Sequence, residues 1–168
     1  MTPFRPGADG ITVALAPYES ALLADLARQL IELLEHRAAE SPADLLYAQL
    51  GIGGPADPPL DPALARLLPD AYRGDQEAAS EHRQLTELSL LDRKLTNARA
   101  VIDSLAGSAE LTPAQVQSWL RTLTDLRLTL AARLQIETDD DEGIGDEAML
   151  GVYDWLGYLQ GTLIELIE

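Results

Sequence analysis

The sequence predicts a mainly α protein: a helical bundle of about five or six helices with a short β-strand or hairpin at its N-terminus. Three observations predict it. Leucines recur at three- and four-residue steps through most of the chain, the spacing of helices that bury one face. Helix-opening signals (Pro17, Asp61-Pro62, Thr112-Pro113) and helix-ending signals (Ser41-Pro42, Gly107) punctuate those runs. Only one segment, near the start, alternates as a strand does. At 168 residues and 46% apolar content the chain can bury a real core, so it reads as a single helical domain over 1–168.

Ile11-Thr12-Val13-Ala14-Leu15, bounded by Gly10 and Pro17, is expected to be a strand that pairs with the residues around Phe4, a β element over 1–16. A lone hairpin is marginal, so it must pack on a helix or a partner chain. Pro17 opens the first helix with Glu19 near its positive end; Leu22, Leu23, Leu26, Leu30, Leu33 and Leu34 form an apolar stripe to about residue 39. Ser41-Pro42 starts a short helix over 43–50. Gly51, Gly53, Gly54, Pro55, Pro58 and Pro59 make 51–62 a Gly/Pro loop. Asp61-Pro62 caps a short helix through Leu68. A turn over 69–75 leads into a long helix over 76–106, with Leu85, Leu88, Leu91, Leu95, Ile102 and Leu105 as its apolar positions. Thr112, Pro113 and Gln115 spell a capping box, and the helix to about residue 135 points Val116, Trp119, Leu120, Leu123, Leu126, Leu130 and Leu134 inward. Residues 137–145 form an acidic loop. The last helix, over 146–167, is apolar almost all round, with Gly157 and Gly161 one turn apart to admit close packing. Such a helix sits in a core or under another chain. Asp154 and Glu165 leave it too short an apolar run for a membrane.

Charge limits the function classes. The chain carries 28 acids and 12 bases, a net charge of −16. Ten of those acids lie in residues 137–168, which hold no Lys or Arg. Phosphates repel such a surface unless a separate basic patch faces them, so duplex DNA is not the expected partner. Single-stranded binders need aromatic platforms in basic grooves, and neither ingredient clusters here. With no Cys, thiol catalysis, disulfides and zinc–thiolate sites are excluded for this sequence. Residues 1–10 lack the apolar core of a signal peptide, so a cytoplasmic protein is expected.

No constellation spells catalysis. For the acidic loop to be an EF-hand, Gly143 in sixth place would need Thr138 first and Met149 twelfth, and both fail as calcium ligands. A solvated acidic loop is the expectation. His36 and His82 lie on exposed helix faces with no metal spacing. Gly51, Gly53 and Gly54 run into prolines instead of a helix and cannot cradle phosphate. A helix-turn-helix over 101–121 has too long a connection, and only Arg121 is basic in the first half of its second helix. No catalytic, cofactor-binding or metal-ligating residue is therefore expected. Candidate interaction residues gather in the middle of the chain and in its last helix. Arg66 and Arg73 flank Asp70 and Tyr72; Arg83, Arg93, Lys94 and Arg99 line the long helix; Arg121 and Arg127 follow, with Asp125 between them; Tyr153 and Trp155 are the aromatic candidates of the last helix. The central bases are expected to pair with Glu81, Glu87, Asp92, Asp103 and Asp125 inside the bundle. Asp70 and Arg73 are expected to lock the turn, with Tyr72 packed on the bundle.

At this point the chain resembles a known family. Residues 60–73 (Leu60-Asp61-Pro62 through Asp70-Ala71-Tyr72-Arg73), Asp125-Leu126-Arg127-Leu128 with Arg133-Leu134, and Val152-Tyr153-Asp154-Trp155-Leu156 resemble an actinobacterial family of small proteins known as a domain of unknown function, which includes the AosR-type oxidative-stress-responsive regulators. The resemblance implies a cytoplasmic regulator linked to a sigma factor and to cysteine-biosynthesis genes under oxidative stress. One departure matters: the redox role rests on cysteines, and this sequence has none. Thiol sensing does not carry over; docking on transcription machinery does. The expected function is a non-enzymatic regulatory protein acting through protein–protein contacts, as a homodimer in one version. The alternative is a direct DNA-binding factor using the central Arg residues. A weaker alternative is an enzyme with a carboxylate/Arg site over 70–73.

Overall fold

The structure, a computed structural model, describes residues 2–40, 54–107, 110–138 and 140–168. The expected helix over 43–50 lies outside the described residues. Strands β1 (Phe4–Pro6) and β2 (Ile11–Val13) pair antiparallel, with Phe4 opposite Val13 and Pro6 opposite Ile11. The hairpin is stabilised from outside. Ile11 and Leu111 exchange backbone hydrogen bonds at 3.2 and 2.8 Å, and the Glu110 carboxylate accepts from the amides of Ala8 and Asp9. Phe4 meets Trp119 edge-on, ring centroids 5.6 Å apart. This tertiary cover is what a two-stranded ribbon needs to persist.

Five helices follow among the described residues: α1 (Pro17–Ala38), α2 (Pro62–Leu67), α3 (Gln76–Ala106), α4 (Pro113–Arg133) and α5 (Glu147–Ile167). Each start has a local chemical cause. Ala16 has no side-chain acceptor, so Glu19 reaches back to its amide at 3.0 Å. Asp61, Asp75, Thr112 and Asp146 each accept from a first-turn amide. Thr112 and Gln115 complete the expected capping box.

Helix α4 is the centre: it packs on α1, α2, α3 and α5, while α1 lies along α3. The core joins Leu23, Leu30 and Leu34 of α1, Leu91, Leu95 and Val101 of α3, Trp119, Leu123 and Leu126 of α4, and Leu156, Leu159 and Leu163 of α5. Each such side chain contributes about 1.5–3 kcal/mol on burial. Leu85 departs from expectation, being 58% exposed. The buried stripe of α3 runs Ala79, Arg83, Glu87, Leu91, Leu95, Ala98. A residue two places from Arg83 or Glu87 sits about 200° round the helix and must face water. Gly161 also departs: a side chain there would meet nothing within 4 Å, so it admits no close packing. Gly157 does, because the Arg127 guanidinium lies 3.4 Å from where its Cβ would be.

A smaller cluster (Ala131, Leu134, Ile136) closes the α4–α5 connection against Met149, Leu150 and Tyr153. The Asp141 carboxylate accepts from the amides of Glu137 and Thr138, which holds it below the usual carboxylate range. Gly143 adopts φ +77°, and an added Cβ would lie 2.9 Å from Ile136. Gly143→Ala should therefore destabilise by more than about 1 kcal/mol, read as a lower urea midpoint at unchanged slope.

Candidate functional site

Nine of the ten candidate residues fall into three places, and Trp155 lies apart from them. The first is the turn after α2. Asp70 is engaged, but by Arg83 rather than Arg73. Arg73 is exposed and makes no ion pair among the described residues, so it does not lock the turn. Tyr72 is 52% exposed and meets the His82 ring edge-on, rather than packing into the bundle. The reason lies in Arg83, which occupies a core position and reaches back over the turn. It donates to the Leu68 carbonyl at 3.1 Å and to Glu87 at 2.8 Å. Glu87 also takes a two-pronged pair from Arg37, at 3.0 and 3.1 Å. Arg37 donates further to Glu40 and to the Asp57 carbonyl. Burial alone would lower the Arg37 guanidinium; its bonds to Glu87 and Glu40 outweigh that and hold it above its ordinary value. Arg37, Arg83 and Glu87 are all buried, and together they fasten α1, α3 and the segments on either side of α2. Sequence spacing did not mark Arg37, since its partner is fifty positions away. The cavity beside this turn is small, about 80 Å³.

The second place is a groove of about 500 Å³ between α3 and α4, lined by Arg93, Lys94, Asn97, Arg121, Thr124 and Asp125. Lys94 pairs with Asp125 at 2.7 Å, as expected. Arg93 and Arg121 are exposed and make no ion pair among the described residues, contrary to expectation, and Arg99 pairs with Glu35 of α1 instead of an acid on its own helix. Burial pushes the Asp125 carboxyl up, and the Lys94 charge and hydrogen bond only partly oppose this. Asp125 thus favours the folded state less as pH rises from the ordinary carboxylate range, because the unfolded chain ionises first.

The third place is a crevice of about 320 Å³ where α2, α4 and α5 meet, lined among others by Arg66, Arg127, Tyr153 and Gln160. Arg66 donates to the Ile136 carbonyl at 2.6 Å. Arg127 donates to Gln160 at 3.1 Å and to the Tyr153 hydroxyl at 3.4 Å, its guanidinium 4.9 Å from the Tyr153 ring centre. Asp61 and Arg133 tie α2 to the end of α4 nearby, at 2.7 and 2.9 Å. The Arg133 hydrogen bond is the main cause that holds the Asp61 carboxyl below its ordinary value. The stability this contributes is present above the unfolded carboxylate pKa of about 3.9 and is lost as pH falls through the lower folded value. Arg133→Gln should therefore lose less stability on acidification than the parent chain, measured by urea unfolding at neutral and acidic pH.

Trp155 serves a structural contact: its indole Nε1 donates to Glu19 at 3.1 Å, joining α5 to the start of α1. Beyond it, α5 buries Leu156, Leu159 and Leu163 but leaves Tyr158, Ile164, Leu166 and Ile167 exposed beside Asp154, Glu165 and Glu168. A neighbouring hollow of about 420 Å³ is lined by Pro3, Arg5, Leu15, Ala16, Glu19 and Tyr158, among others. Among the described residues no group of three or more His, Asp or Glu could hold a metal ion, and no helix is long and apolar enough to cross a membrane.

Fold and site together define a small acidic helical bundle with an N-terminal hairpin and arginine-lined clefts. A family model described as "Domain of unknown function (DUF2017)" matches residues 1–167, and the chain belongs to that family. It is 36% identical over 172 residues to the Oxidative stress regulator AosR of Mycobacterium bovis, covering 90% of this chain and 79% of that relative. The match to Oxidative stress regulator AosR of Mycobacterium tuberculosis is equally close, 36% over 172 residues. The resemblance to the AosR-type family is thereby borne out. No solved structure matches the chain.

Proposed function

We propose that the protein is a non-enzymatic regulator that acts by docking on another protein, in transcriptional or stress-response control. The single observation that carries this is the exposed surface of α5: Tyr158 stands one turn from Asp154, and Ile164 one turn from Glu168, in a stretch without any base. Exposed apolar side chains set among one sign of charge fit a partner that offers apolar contacts and basic groups. The field of a −16 chain speeds encounter with such a partner. Relatives named oxidative stress regulators support the regulatory role. The resemblance makes a sigma factor or another transcription component the partner class.

The same acids oppose a second copy on this face, because like charges would meet. A homodimer therefore needs another surface, and light scattering reads its mass directly. The docking test is affinity capture on the full chain, repeated with Asp154→Lys combined with Glu165→Lys. Loss of a basic partner in that variant, with the fold intact by circular dichroism, supports the reading. Equal capture by both chains overturns it.

A second reading, direct binding to duplex DNA, draws on Arg93 and Arg121 in the α3–α4 groove. Asp125 interrupts that groove and neutralises Lys94, so the positive face is short. This reading predicts steep salt dependence and loss of binding in Arg93→Ala and Arg121→Ala. A tight, sequence-specific gel shift by the isolated protein would favour it over docking.

A further inference from the structure

We propose that the crevice between α2, α4 and α5 binds a small free oxyanion, the carboxylate or phosphate group of a metabolite-sized ligand. Two guanidiniums carry the inference. Arg66 and Arg127 line one crevice, and every acceptor they reach is neutral: the Ile136 carbonyl, the Gln160 amide oxygen and the Tyr153 hydroxyl. Among the described residues neither has a carboxylate within ion-pair distance. Elsewhere Arg28, Arg37, Arg83, Arg99 and Arg133 hold one, while Arg5, Arg73, Arg93 and Arg121, which hold none among the described residues, are exposed; Arg66 and Arg127 are half-buried. In a chain with 28 acids and 12 bases, two arginines that share a cleft and remain without an acid need an account.

The hydrogen-bond inventory points the same way. A guanidinium carries five N–H donors in a planar fork suited to two-pronged pairing with carboxylate or phosphate. Arg127 uses two donors on neutral acceptors, the one to Tyr153 long, and Arg66 uses one. The Arg127 Nε–H is buried with no acceptor among the described residues. An unmet buried donor costs about 1–3 kcal/mol, and an arriving anion that strengthens the remaining bonds offsets part of this.

Position and size select the ligand. The Arg127 guanidinium is held against the Tyr153 ring and over Gly157, so its orientation is set before any ligand arrives. Such preorganisation favours binding. About 320 Å³ admits a small molecule and no helix. Leu128, Ala131 and Ile136 offer apolar contact to a short organic body. Glu137 also lines the crevice and opposes high negative charge, which favours a singly charged carboxylate over a phosphate dianion. This inference is independent of the docking face on α5.

The test is a titration of the full chain at low ionic strength, followed by amide chemical shifts, with acetate and inorganic phosphate as separate probes. Saturable shifts in α4 and α5 are expected with at least one of them at up to about 10 mM. Affinity should fall about tenfold in Arg66→Gln and in Arg127→Gln and stay unchanged in Arg93→Gln. Arg66→Gln is the decisive variant if Arg127→Gln does not fold, because Arg66 lies outside the Tyr153 stack. Saturation by acetate alone or by phosphate alone names the oxyanion. No saturation with either probe overturns the proposal. So does unchanged affinity in Arg66→Gln, or an equal loss in Arg93→Gln, which would mark a diffuse charge effect.

Discussion

Glu87→Ala is expected to destabilise the fold by about 3–5 kcal/mol, the usual result of removing one partner from a buried ion cluster. Glu87 lies at its centre: its two oxygens accept three hydrogen bonds from Arg37 and Arg83. Without it two buried guanidiniums face each other with no intervening charge, and the segments on either side of α2 lose their common anchor. Glu87→Gln keeps the shape and removes the charge, so most of the loss should remain. Replacing Arg37, Arg83 and Glu87 together by apolar residues of similar volume should cost far less, because the desolvation penalty disappears with the charges. Urea unfolding of the three variants checks this. A loss under about 1 kcal/mol for Glu87→Ala would mean that water screens the cluster and that it does not hold the fold.

Trp119→Ala is the second large effect, expected at about 3–5 kcal/mol. Trp119 is fully buried at the centre of α4 and is the surface on which the hairpin rests through Phe4. Its loss opens a cavity and removes the edge-to-face contact together. The hairpin should loosen first, seen as faster amide exchange at Ile11 and Leu111. Trp119→Phe should cost less than half as much. It keeps an aromatic ring against Phe4 and removes an indole N–H that has no acceptor among the described residues. Fluorescence of the remaining Trp155 reports both unfolding transitions.

The spacing of Trp119 with Val116, Leu123 and Leu126 marks it as inward, because a helix face repeats over neighbouring residues. The starts of α2, α3, α4 and α5 were legible for the same reason: a cap lies within three residues of the amide it satisfies. Glu87 was legible only as a charge with a partner to find. Leu85 faces water although it is apolar, because the buried α3 stripe carries two charged residues, Arg83 and Glu87. Of the candidate residues, Arg66, Arg127 and Tyr153 do converge, and Asp125 meets Lys94. Arg73 and Tyr72 face water instead, because Arg83 takes Asp70 from the other side.

Periodicity and capping along the chain are enough to specify a helical bundle with a small β start, since helix formation depends on groups a few residues apart. Net charge likewise follows from composition alone. Which charges meet does not. Arg37 finds Glu87 across fifty positions, and Asp61 finds Arg133 across 72. Arg66 and Arg127 come to share a cleft only once α2 and α5 have packed on α4. Those meetings depend on the order and tilt in which helices stack around Trp119, and no local spacing encodes that geometry.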